Sequence, residues 1–166
     1  MTWPVVALTG HWKLGAAEEW VRAQLAAGIA RLRDQGTHTG RSGMALGADT
    51  IWAEEILDAG LQLHAVVPFE AQADQWPAHA RLRWERLRAG AHAETVVGPN
   101  PRDYVRTVAA LHYRNQVLLD PPSAGCIAVW DGRERGGTWQ AVRYARKIGL
   151  PIVWVDPVRR VVERVT

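Results

Sequence analysis

The sequence has 166 residues, with a single cysteine and only two lysines, Lys13 and Lys147. The lone Cys126 excludes an intrachain disulfide, so we expect a reducing compartment. No stretch is long and apolar enough to span a membrane, and the first 20 residues lack the plan of a secretory signal peptide. These absences predict a cytoplasmic protein that has no membrane partner.

Several cofactor and catalytic signatures are also missing. The dinucleotide pattern G-x-G-x-x-G, the phosphate-binding pattern G-x-x-x-x-G-K-[ST] and the nucleophile elbow G-x-S-x-G do not occur. The six histidines are scattered without the spacing of zinc ligands. We therefore expect no metal site and no required cofactor, while a bound nucleotide or phosphate stays compatible with the sequence.

The composition is that of a soluble globular chain, with 48% hydrophobic and 22% charged residues. Its formal net charge is +3, and the basic side chains are almost all arginine. Arginine suits phosphate recognition because its planar group donates two parallel hydrogen bonds. Genomic base composition produces the same bias without any function, so the arginines alone do not assign a partner.

Apolar segments of strand type alternate with segments of helical periodicity along the whole chain. The predicted strands are residues 5–9, 37–42, 61–67, 95–97, 126–130 and 152–155. The predicted helices are residues 16–35, 49–59, 75–89, 103–119 and 138–148. This alternation indicates a single α/β domain over residues 1–166, a Rossmann-like fold with a mostly parallel sheet and helices on both faces. Residues 155–166 form a C-terminal tail or an edge strand.

Two glycine-rich segments, SGMALGAD at 42–49 and DGRERGGT at 131–138, each follow a predicted strand and precede a helix. In open α/β sheets, ligands bind beside the carboxyl ends of the strands, where both segments would lie. Exposed amides at a helix start bind anions, so Gly136, Gly137 and Thr138 are candidates to contact a phosphate. Asp49 could accept from ribose hydroxyls and Asp131 from a ligand hydroxyl. A tight turn, a first-turn carboxylate or a plain helix cap would explain each feature without a ligand.

Nine tryptophans are many for this length, and most fall in periodic apolar patterns that indicate core packing. Trp12 and Trp139 each lie beside a glycine-bearing loop. These two rings are therefore candidates to stack on a base.

Four segments, in this order, resemble proteins of the SLOG superfamily. They are VALTGHWKLG, ALGADTIWAEEIL, VPFEAQADQW and AVWDGRERGGTWQAVRYA, and the resemblance covers about residues 5–155. SGMALGAD and YRNQVLLD resemble segments of the DNA-processing protein DprA, and the same frame occurs in the LOG phosphoribohydrolases. The small bacterial YpsA-like proteins are the most similar.

The resemblance implies a Rossmann-like fold whose rim binds nucleotides or nucleotide-derived ligands. Carried over by position, it implies ligand contacts at three loops and one helix. These residues are Thr9, Gly10, Ser42, Gly43, Gly47, Asp49, Arg114, Asn115, Gly136, Gly137 and Thr138. The LOG enzymes carry acidic residues after the glycine–threonine pair, where this chain has Gln140 and Ala141. Hydrolysis of a glycosidic bond develops positive charge that a carboxylate stabilises, so this departure argues against the LOG activity.

The sequence therefore leaves three hypotheses open. The first is a nucleotide-binding or nucleotide-like ligand-binding module without a reaction. The second is an N-glycosidic hydrolase, with a carboxylate supplied by Asp49, Glu54 or Glu55. The third is a single-stranded nucleic-acid binder in the manner of DprA, with phosphates along the basic helix that carries Arg81, Arg83, Arg86 and Arg88. We also expect a homodimer that pairs through an exposed helix face.

Overall fold

The computed structural model describes residues 2–165, which form one α/β domain. Its strands are β1 (Val5–Gly10), β2 (Thr39–Ser42), β3 (Gln62–Val67), β4 (Ala93–Val96), β5 (Gly125–Val129), β6 (Ile152–Asp156) and β7 (Val161–Val165). Its helices are α1 (Glu18–Asp34), α2 (Ala48–Asp58), α3 (Ala78–Gly90), α4 (Tyr104–Leu119) and α5 (Gly136–Lys147). Short 3₁₀ turns at Gly15–Ala17 and Glu70–Ala73 precede α1 and α3.

All seven strands belong to one sheet, in the order β4-β3-β2-β1-β5-β6-β7. Every neighbouring pair is parallel except β6 and β7, which are antiparallel. The chain runs outward from β1 to β4 and then returns to place β5 against the other side of β1. The predicted Rossmann-like α/β fold is therefore confirmed, and β7 forms from the C-terminal segment at one edge.

Both faces of the sheet are covered, which explains why its central strands read as continuous apolar runs. Val6, Ala7 and Leu8 in β1 are completely buried, although their side chains alternate between the two faces. On one face Leu8 packs with Leu25 of α1 and Trp52 of α2. On the other face lie the helices α4 and α5, which also pack against each other.

Helix boundaries differ from the sequence expectations by a few residues, and the reason is local. The helix predicted at 75–89 begins at Ala78, because the residues before Pro77 form a separate turn. Asp103, predicted as the first residue of its helix, is instead the cap of α4, and its carboxylate accepts a hydrogen bond from the Arg106 amide.

The C-terminal end of α4 is fixed by a buried arginine on β2. Arg41 Nη1 donates to the carbonyls of Leu118 and Asp120 at 2.8 and 2.9 Å. Its Nη2 donates to the Val117 carbonyl at 3.0 Å. Carbonyls at the end of a helix lack intrahelical partners, and here Arg41 supplies them together with Ser123, which donates to the carbonyls of Leu118 and Asp120. The guanidinium thereby attaches α4 to the sheet.

Among residues 2–165, no helix combines the length and the apolar character needed to cross a bilayer. In the same part of the chain, no three histidine, cysteine or acidic side chains lie close enough to hold a metal ion.

Candidate functional site

A cavity of about 540 Å³ opens where the strand order reverses, between the carboxyl ends of β1 and β5. This volume lies within the range of small-molecule sites, roughly 300–1,000 Å³, and the position is the one at which open α/β sheets bind ligands. We call it the switch-point cavity. It is lined by Thr9, Gly10, His11, Trp12, Ala45, Asp49, Tyr104, Val108, Leu111, His112, Arg114, Asn115, Gly136, Gly137 and Thr138.

We call residues 42–49, the glycine loop before α2, the closed loop, because several of its amides are hydrogen-bonded within the protein. Ser42 Oγ accepts from the Met44 amide at 3.1 Å and donates to the Asp49 carbonyl at 2.8 Å. The Ala45 amide donates to Asp49 Oδ2 at 3.3 Å, and the Ala48 amide donates to the His11 carbonyl at 3.1 Å. These amides are therefore used inside the protein and are not free to bind a ligand.

Gly47 is required by the close approach of this loop to the loop after β1. Its φ is +77°, and an added Cβ would lie 2.2 Å from the Trp12 carbonyl oxygen and 2.5 Å from that of His11. No other residue type fits this space and this backbone conformation. Glycine at position 47 therefore allows the loop before α2 to pack directly against the loop after β1.

A buried carboxylate and a buried guanidinium reach the cavity from α2 and α4. Asp49 and Arg114 are only 4% and 5% exposed. Burial raises the pKa of the Asp49 carboxyl from its ordinary 3.8 to about 6, although the charge of Arg114 and the Ala45 amide oppose this change. Burial likewise lowers the pKa of Arg114, and the attraction of Asp49 opposes it. The site therefore contains one acceptor group and one cation that are both poorly hydrated.

Arg114 is also tied to the surrounding backbone. Its Nη1 donates to the Gly43 carbonyl, and its Nε donates to Asn115 Oδ1 at 3.1 Å. Its Nη2 makes no hydrogen bond to any group in residues 2–165, so this donor is open to a ligand in the cavity. Arg114, named from the family resemblance as a ligand contact, is turned inward by α4 and lines the cavity.

Asn115 joins α4 to the start of α5. Its Nδ2 donates to the Gly137 carbonyl at 3.3 Å and to Gln140 Oε1 at 3.2 Å. Gln140, which stands where the LOG pattern has acids, is therefore held by an amide–amide contact. An acid at this position would accept the same hydrogen bond but add a negative charge to the start of α5.

The start of α5 is open, in contrast to that of α2. The amides of Gly136, Gly137 and Thr138 have no hydrogen-bond partner within residues 2–165, and Arg135, the residue before the helix, provides no side-chain cap. Gly136 and Gly137 are exposed at the mouth of the cavity. Unpaired amides at the positive end of a helix dipole favour an anion at this point.

A histidine links this helix start to the end of β5. His11 Nε2 lies 3.1 Å from Asp131 Oδ1 and 3.0 Å from the Asp131 amide nitrogen. On the other side of the ring, Nδ1 lies 3.4 Å from Thr138 Oγ1. Burial acts to raise the pKa of Asp131, but hydrogen bonds from the Arg133 amide and from His11 outweigh it and lower that pKa.

Two aromatic side chains stand exposed at the mouth of the cavity. Trp12 is 54% exposed and Tyr104 is 81% exposed. Trp139 has a different environment, because its ring stacks on Trp130 with centroids 5.3 Å apart. Of the two tryptophans considered for base stacking, only Trp12 lines the cavity.

The structure brings together eight of the twelve residues named from the sequence. Thr9, Gly10, Asp49, Arg114, Asn115, Gly136, Gly137 and Thr138 all line the switch-point cavity. Ser42, Gly43 and Gly47 lie behind it in the closed loop, and Asp131 contacts the cavity only through His11. Ligand contact by any of the twelve stays a prediction.

Sequence reasoning missed His11 and four residues on the inner face of α4. His11 follows directly on the predicted first strand, so a polar residue at a strand end was a usable signal. The α4 residues Tyr104, Val108, Leu111 and His112 carried no such signal, because only the packing of α4 against α5 decides which face points into the cavity.

The carboxylates proposed as alternatives to Asp49 lie elsewhere. Glu54 and Glu55 on α2 pair with Arg22 at 2.8 and 2.6 Å. Glu54 also accepts from Arg83 Nη2 at 2.6 Å. Neither glutamate lines the switch-point cavity, so a catalytic role for them there is excluded.

The basic helix α3 is only partly free. Arg83 pairs with Glu54, and Arg88 pairs with Glu94 at 2.6 Å and Glu70 at 3.0 Å. Arg88 also covers the ring of Trp84 at 4.6 Å. Two of the four arginines expected to track phosphates are therefore occupied by intramolecular partners.

A second cavity, of about 610 Å³, lies against another face of α4. We call it the outer cavity. It is lined by Pro68, Val97, Gly98, Pro99, Asn100, Pro101, Arg102, Arg106, Ala109, Ala110 and Tyr113. It thus combines Arg102, Arg106, whose guanidinium pairs with Asp103, and the exposed Tyr113.

Comparison with solved structures reveals the same architecture in proteins of very different sequence. DNA processing protein A (DprA) from Streptococcus pneumoniae superimposes on 91% of this chain with a TM-score of 0.66 and 21% identity. This chain has the fold of the matched part of DprA. DprA from Helicobacter pylori matches over 95% of the chain with a TM-score of 0.63 and 19% identity, and that structure concerns its single-stranded DNA binding mode. A structural genomics target, TM1055, matches over 92% with a TM-score of 0.59 and 15% identity.

The chain spans about half of the S. pneumoniae DprA chain, and it covers 71% and 72% of the other two. No model of a known protein family matches the sequence, and no curated protein shows significant similarity to it. The likeness to DprA is therefore one of fold, at a sequence identity of only 19–21%.

Proposed function

We propose that this protein binds a nucleotide or a nucleotide-derived phosphate in the switch-point cavity, as a ligand-binding module of the SLOG type close to the YpsA-like proteins. The observation that carries the proposal is the start of α5. There, three unpaired amides and the Thr138 hydroxyl face a cavity that also contains Asp49 and Arg114.

The phosphate end of the ligand is assigned to α5. A phosphoryl group accepts hydrogen bonds and carries negative charge, so it complements the amides of Gly136 and Gly137 and the helix dipole. Arginine is the preferred side chain for phosphate, and the open Nη2 of Arg114 adds a cation to the same cavity. Both groups belong to residues that line the same cavity, which supports a phosphate at this end.

We assign the sugar of the ligand to Asp49 and the base to the aromatic rings at the mouth of the cavity. Asp49 Oδ1 makes no hydrogen bond to any group in residues 2–165, so it can accept from a ribose hydroxyl. The rings of Trp12 and Tyr104 at the mouth offer flat apolar surface for a base. A ligand with an anion, a hydroxylated sugar and an aromatic ring would use all three.

Binding without turnover is favoured over N-glycosidic hydrolysis. Asp49 is the only carboxylate among the residues that line the cavity in the described part of the chain. Gln140 replaces the acid of the LOG pattern and is held by Asn115. Free base released from a nucleotide panel, and lost in Asp49→Asn, would instead establish the hydrolase.

The test is calorimetric titration with AMP, ADP-ribose, NAD and cyclic nucleotides. Gly137→Asp places a carboxylate at the amides, where an added Cβ meets nothing within 4 Å. We expect it to weaken binding by at least about tenfold, or 1.4 kcal/mol. Gly137→Asn, which has the same shape without the charge, is the matched control. Equal affinities for the two variants would contradict an anion at this position.

Single-stranded nucleic acid is the second candidate, because the fold is that of DprA and the outer cavity combines Arg102, Arg106 and Tyr113. Arginines contact phosphates and a tyrosine ring stacks on a base. We expect affinity for a short oligonucleotide to fall with salt and with Arg102→Gln, but not with the comparison variant Arg31→Gln on α1. A flat salt response would exclude this candidate. Sedimentation velocity of the same protein would test the expected homodimer.

A further inference from the structure

The side chains of Asp131, His11 and Thr138 form a chain that looks like a carboxylate, a base and a nucleophile. His11 lies between the other two, with Nε2 at 3.1 Å from Asp131 Oδ1 and Nδ1 at 3.4 Å from Thr138 Oγ1. Thr138 is 8% exposed and lines the switch-point cavity. In a catalytic arrangement of this kind, the histidine nitrogen that faces the hydroxyl must carry a lone pair.

The backbone of Asp131 reveals the opposite orientation. Its amide nitrogen lies 3.0 Å from His11 Nε2, and an amide N–H can only donate. Toward this amide Nε2 accepts, and in a neutral imidazole the proton is then on Nδ1. The Asp131 carboxylate at 3.1 Å from the same nitrogen favours a proton on Nε2 instead, so the inference depends on the amide contact. The Nδ1–H group donates to Thr138 Oγ1, which leaves the hydroxyl proton of Thr138 free to point elsewhere.

Protonation of the neutral His11 ring to the imidazolium does not change the direction of the hydrogen bond between Nδ1 and Thr138. In the imidazolium, both ring nitrogens donate, so Nε2 can no longer accept from the Asp131 amide and donates instead to the Asp131 carboxylate at 3.1 Å. The Nδ1–H group still faces Thr138 Oγ1. The hydroxyl is an acceptor toward His11 in both states, so its own proton is always available to the cavity.

We propose that His11 is a positioning residue that holds the Thr138 hydroxyl as a hydrogen-bond donor into the cavity, so that Thr138 binds a fully ionised oxyanion and does not act as a nucleophile. This inference rests on the proposed function for the identity of that oxyanion, a phosphoryl group. The amides of Gly136, Gly137 and Thr138 donate as well. The α5 start thereby becomes a set of donors only, which selects a group that only accepts.

The direct test is the tautomer of His11 in the protein without ligand. Long-range ¹H–¹⁵N spectra of the uniformly labelled protein above pH 8 distinguish a protonated Nδ1 from a protonated Nε2, and the variant His11→Gln identifies the signals. We expect a protonated Nδ1. A protonated Nε2 would overturn the inference, because Nδ1 would then be a base that faces Thr138. This readout requires no ligand, so it stands even if the proposed function fails.

The contribution of the Thr138 hydroxyl to oxyanion binding is measured by calorimetric titration with AMP and with inorganic phosphate. We expect Thr138→Val to weaken both by about tenfold, whereas Thr138→Ser restores the affinity. His11→Asn keeps an N–H near the place of Nδ1 and should bind better than His11→Gln, which does not. Equal affinities for Thr138→Val and the natural protein, or for the two His11 variants, would contradict the positioning role. If the natural protein binds neither probe, the proposed function fails and the tautomer alone decides the inference.

Discussion

The loops before α2 and before α5 are both glycine-rich connections that lead from a parallel strand to a helix, but they are built in opposite ways. In the first, Ser42 Oγ, Asp49 Oδ2 and the His11 carbonyl accept hydrogen bonds from the Met44, Ala45 and Ala48 amides. In the second, Gly136 and Gly137 remain exposed with unpaired amides. Glycine content therefore does not identify an anion site; what matters is whether the rest of the fold already uses the amides.

The largest predicted difference between the loops is in the free energy of unfolding that is lost when one glycine of each loop is replaced by alanine. Gly47→Ala would force a Cβ to 2.2 Å from the Trp12 carbonyl oxygen at a φ of +77°. We expect a loss of about 3 kcal/mol or more in the free energy of unfolding. Gly137→Ala should change it by less than about 1 kcal/mol, because its site is open. Urea denaturation of the two variants measures both, and similar losses would contradict the contrast.

The closed loop should also give a stability that depends on pH through Asp49. Its pKa is raised to about 6 in the folded protein, so the folded state binds more protons than the unfolded state between about pH 4 and 6. The Asp49 contribution is therefore full below pH 4 and declines as pH rises through 6, by about 3 kcal/mol in total.

Glu54, Glu94 and Asp156 have lowered pKa values and act in the opposite direction, so the measurement must be a difference. The free energy of unfolding of the natural protein minus that of Asp49→Asn should fall between pH 4 and 7. A constant difference across this range would mean that Asp49 titrates normally.

A smaller difference in stability is expected when the hydroxyl group of Ser42 or of Thr138 is removed. Ser42→Ala leaves the buried Met44 amide and the Asp49 carbonyl without their partner, which should cost about 2 kcal/mol. Thr138→Val should cost less, because the Thr138 hydroxyl makes only the 3.4 Å contact to His11 and faces the cavity. Thermal unfolding compares them, and a larger loss for Thr138→Val would contradict the open character of the second loop.

The smallest predicted effect has the opposite sign. Gly137→Asp puts a carboxylate at the unpaired start of α5, where it can interact with the helix dipole. We expect it to raise the free energy of unfolding by about 0.3–1 kcal/mol relative to Gly137→Asn at low ionic strength. The increase should disappear in high salt. A destabilised Gly137→Asp would mean that the amides of α5 already have partners.

The sequence predicted the alternation of strands and helices, because the spacing of apolar residues along the chain differs between a helix and a strand that pack on a core. Short or polar elements were predicted less well. Strand β2 has only Thr39–Ser42, and its buried Arg41 is satisfied by the end of α4, which no local pattern indicates. The same limit applies to Arg114, whose environment is set by a segment 71 residues away in sequence.

The sequence by itself determined the fold class, the rim of strand ends and the glycine segments on it, because apolar spacing, turn residues and the order of strands and helices along the chain are local properties of the sequence. Only the tertiary structure decided which glycine loop is open, that the buried Asp49 and Arg114 side chains line the same cavity, and that His11 joins Asp131 to Thr138. Those outcomes depend on hydrogen bonds between groups that are distant in sequence, and a buried polar group takes whichever partner the packing brings to it.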